Sequence, residues 1–346
     1  MIVKKKKLYL ARDIVGVKPL YYFHDEKTKK FIFSSLIKSI LISLEKKTLN
    51  FDSIISYSNF NRNDYRETFF KNIFKVLPGE LVEVSNGKYK RSKILKFNFK
   101  NKDKSLIKDL SDSFSDQFIS DVPIALSLSG GVDSNIILNE LIKNKGINFQ
   151  NYSVTFKDYK KYQKDHDLAQ KISSYYGIKF NSIEVSSEDF ENYAEKIVDI
   201  VEEPTGNTNS IANYILSKNI SEKVLISGDG GDEVFGGYNW YQQFLDTKQP
   251  QIKIAKNLTR IKAFLKHKYF LPNNDIKKYK KIMLNRFSKN EVENIFNLKI
   301  KEDEFCMYRK YIKNISSIKD MMYVDFFTFL KFALIRLDLS SMAHSV

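Results

Sequence analysis

Two short segments hold residues whose types and spacing suit chemistry. The first is Ser129-Gly130-Gly131-Val132-Asp133-Ser134. Its paired glycines let the backbone approach a bound phosphate with no Cβ in the way. The N–H groups of such a turn, at a helix start, form a site for anions. Ser129 and Ser134 add hydroxyl donors. Asp133 makes no sense as a direct phosphate ligand, because like charges repel. It does make sense as a ligand of Mg2+ that bridges it to phosphate oxygens. The loop lacks the Gly-Lys-Ser/Thr ending of a Walker A loop. The bland alternative is a glycine turn that binds nothing, and the full hexapeptide after an apolar run argues against it.

The second segment is Ser227-Gly228-Asp229-Gly230-Gly231-Asp232-Glu233-Val234-Phe235-Gly236-Gly237-Tyr238. Five glycines and three carboxylates fall in the eleven residues from Gly228 to Tyr238. A flexible acidic loop is the alternative; glycines and carboxylates clustered after a strand favour metal–phosphate work. Asp133 and Asp232, brought together, would share a metal ion on a pyrophosphate.

These segments need strands and helices to position them. Val122 to Leu128 is an apolar run that reads as a buried parallel strand ending at the first motif. A helix follows it, with Ile136, Ile137, Leu138, Leu141 and Ile142 expected on its inner side and Gly146 as its stop. Strands are expected at 152–156, 182–185 and 224–227, and helices at 166–176, 188–200 and 210–220. The second motif therefore also follows a strand. Such alternation implies an α/β fold with a doubly wound parallel sheet, whose ligands bind at the carboxyl ends of strands. Ahead of it, residues 103–120 show helical spacing through Leu106, Leu110, Phe114 and Phe118. The first hundred residues read as β-rich, with strands near 8–10, 20–23, 31–33 and 81–84 and turns at His24–Lys27, Pro78-Gly79 and Asn86-Gly87. From about 250 onward the pattern is helical and basic.

The net charge is +16, unevenly spread. Residues 1–100 hold 22 Lys+Arg against 9 Asp+Glu, residues 101–250 hold 15 against 23, and residues 251–300 hold 13 against 3. The basic excess avoids the glycine-rich motifs, and no RNA-binding signature accompanies it, so a Lys-rich solvated surface is the reading and no nucleic-acid partner is expected. One cysteine, Cys306, allows no internal disulfide or cysteine zinc cluster, which favours a reducing, cytoplasmic setting. A lone cysteine in a helical stretch reads as a small core residue. The histidines 24, 166, 267 and 344 have no metal spacing. The longest apolar stretch near the end, Phe326 to Ile335, is too short to span a bilayer, and no membrane partner is expected.

The first motif resembles the pyrophosphate loop of the ATP-pyrophosphatase superfamily, and the second resembles the asparagine synthetase family specifically. Ala11-Arg12-Asp13-Ile14-Val15-Gly16-Val17-Lys18-Pro19-Leu20-Tyr21-Tyr22 is similar to a signature late in that family's glutaminase domain. Phe33-Ser34-Ser35, Leu77-Pro78-Gly79, Glu202-Glu203-Pro204 and Ser341-Met342-Ala343-His344-Ser345 match further segments in the family's order. The resemblance implies a partial, Ntn-type glutaminase-like domain over 1–98 and an ATP-pyrophosphatase domain over 99–346. It implies that Leu128, Val154, Ser227 and Gly228 bind ATP. Ser129, Gly130, Gly131 and Ser134 would hold pyrophosphate, and Asp133 and Asp232 would hold Mg2+. Asp229 would sit near an acyl-adenylate, with Asp229 and Asp232 as the catalytic carboxylates, while Glu233 supports the loop. The implied reaction joins aspartate and ammonia, the latter drawn from glutamine in the complete family enzyme, to give asparagine, AMP and pyrophosphate. A related carboxylate substrate, a non-catalytic remnant and a homodimer all stay open.

The chain also departs from the family. Family glutaminase domains start with a cysteine exposed by removal of Met1; here residue 2 is Ile, and no counterpart of the glutamine-holding segments precedes Ala11. After Ser345 the family's Glu-x-Arg-x-Pro-Phe segment does not follow. A piece of a longer member, cut at both ends, or a reading frame broken by mutation, is the expectation. A polypeptide of these 346 residues should therefore release no glutamate from glutamine above background; cysteine-dependent release would contradict this.

Overall fold

The computed structural model describes residues 2–4, 6–60, 63, 66–93, 105–159, 163–204, 209–246, 287, 289–297, 299 and 315–346. The chain divides into two compact units, one of residues 1–93 and 230–332, the other of 94–229 and 333–346. The expected boundary at 98/99, Cys306, His267 and the basic stretch 251–286 all lie outside the described residues.

In the first unit, β1 (Ile2–Lys4), β2 (Lys7–Ala11), β6 (Glu80–Ser85) and β7 (Lys88–Lys93) form an antiparallel sheet in the order β1-β2-β6-β7. A second antiparallel sheet has the order β4-β3-β5, from β3 (Tyr21–His24), β4 (Phe31–Ser34) and β5 (Ile73–Lys75). Alternation along β3 explains the layering. Tyr22 joins Leu10, Val82 and Val84 of the first sheet in one core, stacked on Phe31 with centroids 5.5 Å apart. Tyr21 and Phe23 point the other way, to Ile37 and Ile40 of α1 (Ile37–Ile42). Asn86 and Gly87 both adopt positive φ, 49° and 69°, as a two-residue hairpin between β6 and β7 requires. A further helix, α2, spans Phe51–Phe60.

The segments Ala11–Tyr22 and Leu77–Gly79 meet in one buried knot. Arg12, 6% exposed, donates from Nη1 to the Val76 carbonyl at 2.8 Å and from Nη2 to the Gly16 carbonyl at 2.7 Å. The Asp13 carboxylate accepts the N–H groups of Gly16, Val17 and Lys18, closing the turn. Gly79 N–H donates to the Asp13 carbonyl, and Glu80 takes both the Leu77 N–H and Arg66, the latter at 2.6 Å. This part of the family signature is a structural fastening.

In the second unit, α3 (Leu106–Gln117) leads to β8 (Ile124–Ser127), α4 (Val132–Lys145), β9 (Gln150–Phe156), α5 (Gln163–Tyr176), β10 (Lys179–Val185), α6 (Ser187–Val201), α7 (Asn209–Asn219) and β11 (Val224–Ile226). The four strands are parallel, in the order β10-β9-β8-β11. The right-handed rule for parallel crossovers puts α4 and α5 on one face and α7, which packs on β9 and β10, on the other. On the first face Leu126 and Leu128 bury against Leu138 and Leu141 of α4 and Ala169 of α5. Gly146 (φ 65°) and Gly177 (φ 67°) end α4 and α5 as expected. Glu202, in the left-handed region, caps α6, whose start carries a reciprocal Ser186–Asp189 capping box. This is the doubly wound α/β architecture anticipated from sequence.

One expected burial differs. Ile136 is 42% exposed, because Ile137, Leu138 and Leu141 form the stripe facing the sheet and residue 136 falls to its flank. Leu106 is 59% exposed; the apolar stripe of α3 reaches the core only through Phe114 and Phe118. Among the described residues no helix is long and apolar enough to cross a membrane.

Gly16 has φ 84°, and a Cβ there would lie 2.6 Å from Pro78 Cγ. Gly16→Ala should lower the urea midpoint, costing about 1–3 kcal/mol. A midpoint equal to the parent's would show that the knot tolerates a side chain.

Candidate functional site

The sheet order reverses between β8 and β11. The chain steps outward from β8 to β9 and β10, then returns to place β11 on the other side of β8. In a doubly wound sheet such a reversal opens a crevice at the carboxyl ends of the two strands that flank it, here β8 and β11. Both glycine-rich motifs begin there. Leu128, buried, continues the ladder past β8 by donating its N–H to the Tyr152 carbonyl at 2.8 Å. Ser129, Gly130 and Gly131 form the turn, and α4 starts at Val132. Opposite them stand Ser227 and Gly228. A Cβ on Gly228 would lie 3.3 Å from Ser134 N and 3.5 Å from Asp133 Cβ, so the two loops touch. Val154 sits on the part of β9 that extends past the end of β8.

The turn's internal hydrogen bonds are dense. Ser129 N–H donates to Ser134 Oγ at 3.2 Å, and Gly131 N–H donates to Ser129 Oγ at 3.2 Å. Ser134 Oγ lies 2.9 Å from the Ser129 carbonyl and 3.1 Å from that of Gly131. Asn135 Nδ2 donates to the Gly131 carbonyl at 2.7 Å and reaches that of Ser129 at 3.4 Å. The first helical bond runs from Asn135 N–H to the Gly131 carbonyl. The N–H groups of Val132, Asp133 and Ser134 come before it, as at any helix start. With no side-chain cap, they are what the turn offers an anion.

Ser134 is thus a brace inside the turn in this arrangement, 4% exposed, and its hydroxyl points at the turn's own carbonyls. Gly130 answers a second need besides backbone approach. A Cβ there would meet Asp165 O at 2.7 Å and Asp165 Cα at 2.9 Å, in the first turn of α5. Gly131 faces only Ser129 Oγ within 4 Å. Asp133 is half-buried, and Asp229 is exposed, accepting the Ser227 hydroxyl at 2.6 Å.

The rest of the second motif belongs to the other unit. It forms a short helix, α8 (Gly231–Phe235), which carries Asp232, followed by α9 (Asn239–Asp246). The N–H groups of Gly236 and Gly237 donate to the Asp232 carbonyl at 2.8 and 3.1 Å, folding the loop back. A Cβ on Gly237 would collide with Asp232 Oδ1. Glu233, 3% exposed, accepts the Tyr238 hydroxyl at 2.8 Å. Burial pushes the Glu233 carboxyl above its ordinary range, Tyr238 pulls the other way, and the charges of Asp325 and Asp232 add to the rise. Burial likewise raises the Tyr238 phenol, reinforced by the Glu233 charge. Tyr238 stacks on Trp240 with centroids 3.8 Å apart, and Trp240 Nε1 donates to Asp325 on helix Ile318–Thr328 at 3.3 Å.

The structure therefore brings together Leu128, Ser129, Gly130, Gly131, Asp133, Ser134, Ser227, Gly228 and Asp229 at one sheet end. Asn135 and the Glu233–Tyr238 pair escaped the sequence reading as contact partners. The signal for Asn135, a side-chain amide in a first helical turn, was present but reads as ordinary. His24 meets the Gly87 carbonyl at 3.1 Å and buried His166 meets Ser182 Oγ at 2.8 Å, both structural roles. Among the described residues no group of three or more His, Cys, Asp or Glu is placed to hold a metal by itself.

Comparisons with known proteins agree on the kind of chain this is. The family model described as asparagine synthase matches residues 105–346, and that of a glutamine amidotransferase domain matches residues 2–95. The asparagine synthetase (glutamine-hydrolyzing) 1 of Bacillus subtilis (strain 168) is 30% identical over 264 residues, covering 73% of this chain and 41% of its own length. A putative asparagine synthetase (glutamine-hydrolyzing) 2 of Methanocaldococcus jannaschii is 30% identical over 267 residues, covering 72% of this chain and 51% of its own length. Amidase chry2 of Gibberella zeae is 24% identical, covering 69% of this chain and 39% of its own. The chain spans about half the length of the curated relatives it matches.

Gly130→Ala should weaken the unit of residues 94–229 and 333–346, since α5 must move for the Cβ to fit. A cost of about 1–3 kcal/mol is expected, read as a lower melting temperature. Melting at the parent's temperature would mean that α5 yields freely.

Proposed function

Because the chain belongs to the asparagine synthase family, by the match over residues 105–346, we propose that it is an ATP-dependent amide ligase whose carboxylate substrate is aspartate. One observation carries the reading. Both motifs with phosphate-binding chemistry open into the same crevice, where the order of the parallel sheet reverses.

In this reading the aspartate side-chain carboxylate attacks the α-phosphorus of ATP. The new P–O bond displaces pyrophosphate and leaves an acyl-adenylate. Ammonia then attacks the acyl carbon, the bond to AMP breaks, and the attacking nitrogen loses a proton. The chain's task is positioning and charge neutralisation. Leu128, Val154, Ser227 and Gly228 hold the nucleotide. The N–H groups after Gly131 face the pyrophosphate, with Ser129 at the rim and Ser134 bracing from within. Asp229 stands beside the reacting carboxyl and accepts the proton that ammonia loses. Asp133 and Asp232 suit Mg2+ by donor chemistry, being hard carboxylate oxygens, one in each glycine-rich motif. When bound, Mg2+ offsets the charge of the departing pyrophosphate. The setting is cytoplasmic, and the ammonia of the complete enzyme comes from glutamine.

The relatives named amidases favour one further reading, amidation of a carboxylate other than aspartate. ATP–pyrophosphate exchange separates the two. Aspartate should drive exchange; exchange driven by another carboxylate and not by aspartate would replace the substrate and keep the chemistry. No exchange with any carboxylate, alongside no Mg-ATP binding, would sink the ligase reading. Asp133→Asn and Asp232→Asn should each weaken Mg-ATP by about 2–4 kcal/mol, measured by calorimetry. Parent-like binding in both would show that the two carboxylates do not share the ion.

A further inference from the structure

The turn at 129–131 poses an electrostatic problem. A backbone loop presents carbonyl oxygens as well as N–H groups, and a carbonyl facing a pyrophosphate oxygen repels it. An anion site made of backbone therefore needs its carbonyls held away from the mouth. Two carbonyls matter here, those of Ser129 and Gly131, and both are held by side chains from the first turn of α4. Ser134 cannot do this alone. Its hydroxyl carries one proton, so it serves one carbonyl at a time, and the Ser129 carbonyl at 2.9 Å is the nearer. The carboxamide of Asn135 carries two N–H groups, and its Nδ2 lies 2.7 Å from the Gly131 carbonyl.

We propose that Asn135 is a positioning residue of the phosphate site: it ties back the Gly131 carbonyl, and so aims the N–H groups of residues 132–134 at the pyrophosphate. This inference rests on the phosphate-binding reading of the crevice. Asn135 acts through the backbone and does not touch the ligand. It works with Ser134, so that each carbonyl has a side-chain donor, the Gly131 carbonyl also accepting the Asn135 N–H of the first helical bond. The same geometry gives the pair a division of labour. Buried Ser134 also receives the Ser129 N–H and fixes the depth of the turn. Half-buried Asn135 sets the tilt of the peptide at the helix start.

The test uses the full chain and Mg2+ with inorganic pyrophosphate as the probe. Three readouts are taken on the parent, Asn135→Ala and Asn135→Asp: affinity by calorimetry, melting temperature, and hydrogen exchange of the 130–134 amides without pyrophosphate. Asn135→Ala should bind about tenfold more weakly, the loss of roughly one hydrogen bond's worth of alignment. Its melting temperature should stay near the parent's, and its loop amides should exchange faster. Asn135→Asp keeps the shape but sets a carboxylate against two carbonyls, and should bind more weakly still. A lowered melting temperature with unchanged affinity would make Asn135 a helix-start stabiliser only and overturn the proposal. Weakened binding with unchanged amide exchange would mean direct contact with the anion and overturn it equally. Parent that does not bind Mg-pyrophosphate at all would refute the underlying phosphate reading; parent that binds, with Asn135→Ala equal to it, would refute this inference alone.

Discussion

The return of β11 to the far side of β8 is the constraint on which the rest depends. Parallel strands need long crossovers, and the crossovers are right-handed. Reversing the direction of growth therefore sends the crossover through α7 to the face opposite α4 and α5, and leaves a gap at the carboxyl ends of β8 and β11. The chain places there turns of glycine, serine and aspartate, the first of them braced by its own side chains. Closeness of the two turns then fixes residue size: Gly228 lies against the start of α4, and Gly130 lies against the start of α5. Two of the motif's glycines are thus bound by packing as much as by any ligand.

Much of this architecture was legible in the sequence. Short apolar runs ended by glycine, alternating with helical periods, identify a doubly wound sheet, and the positive φ of Gly146 and Gly177 shows why those glycines end their helices. Both motifs were placed correctly at strand ends. Their encounter was not legible, because strand order is a matter of crossover direction, which local pattern does not record. Ile136 misled for a related reason: an apolar residue on a helix announces a buried face only when the neighbouring layer is wide enough to cover it. The braces were also hidden. A serine and an asparagine in a first helical turn look like ordinary polar surface, and their work on two carbonyls appears only once the turn has its shape.

The N-terminal signature gives a complementary lesson. Its Arg12 and Asp13 are charged residues in a distinctive string. In the structure both are consumed by the backbone, Arg12 by two carbonyls and Asp13 by three N–H groups. Such a turn must have a fixed shape for Pro78 to lie against Gly16. Recognisable motifs in this chain therefore divide into two kinds. One spends its polar groups internally and stabilises a fold; the other leaves N–H groups ahead of the first helical bond, at residues 132–134, and an exposed carboxylate, at Asp229.

The central claim is that the crevice between β8 and β11 is the pyrophosphate site of an ATP-using enzyme. Amide hydrogen exchange, followed on the full chain with and without Mg-ATP, tests it most directly. The account predicts that protection appears at residues 130–134 and 227–229, with little change along β1–β7. Tight Mg-ATP binding with protection confined to other segments, and none at 130–134, would contradict it.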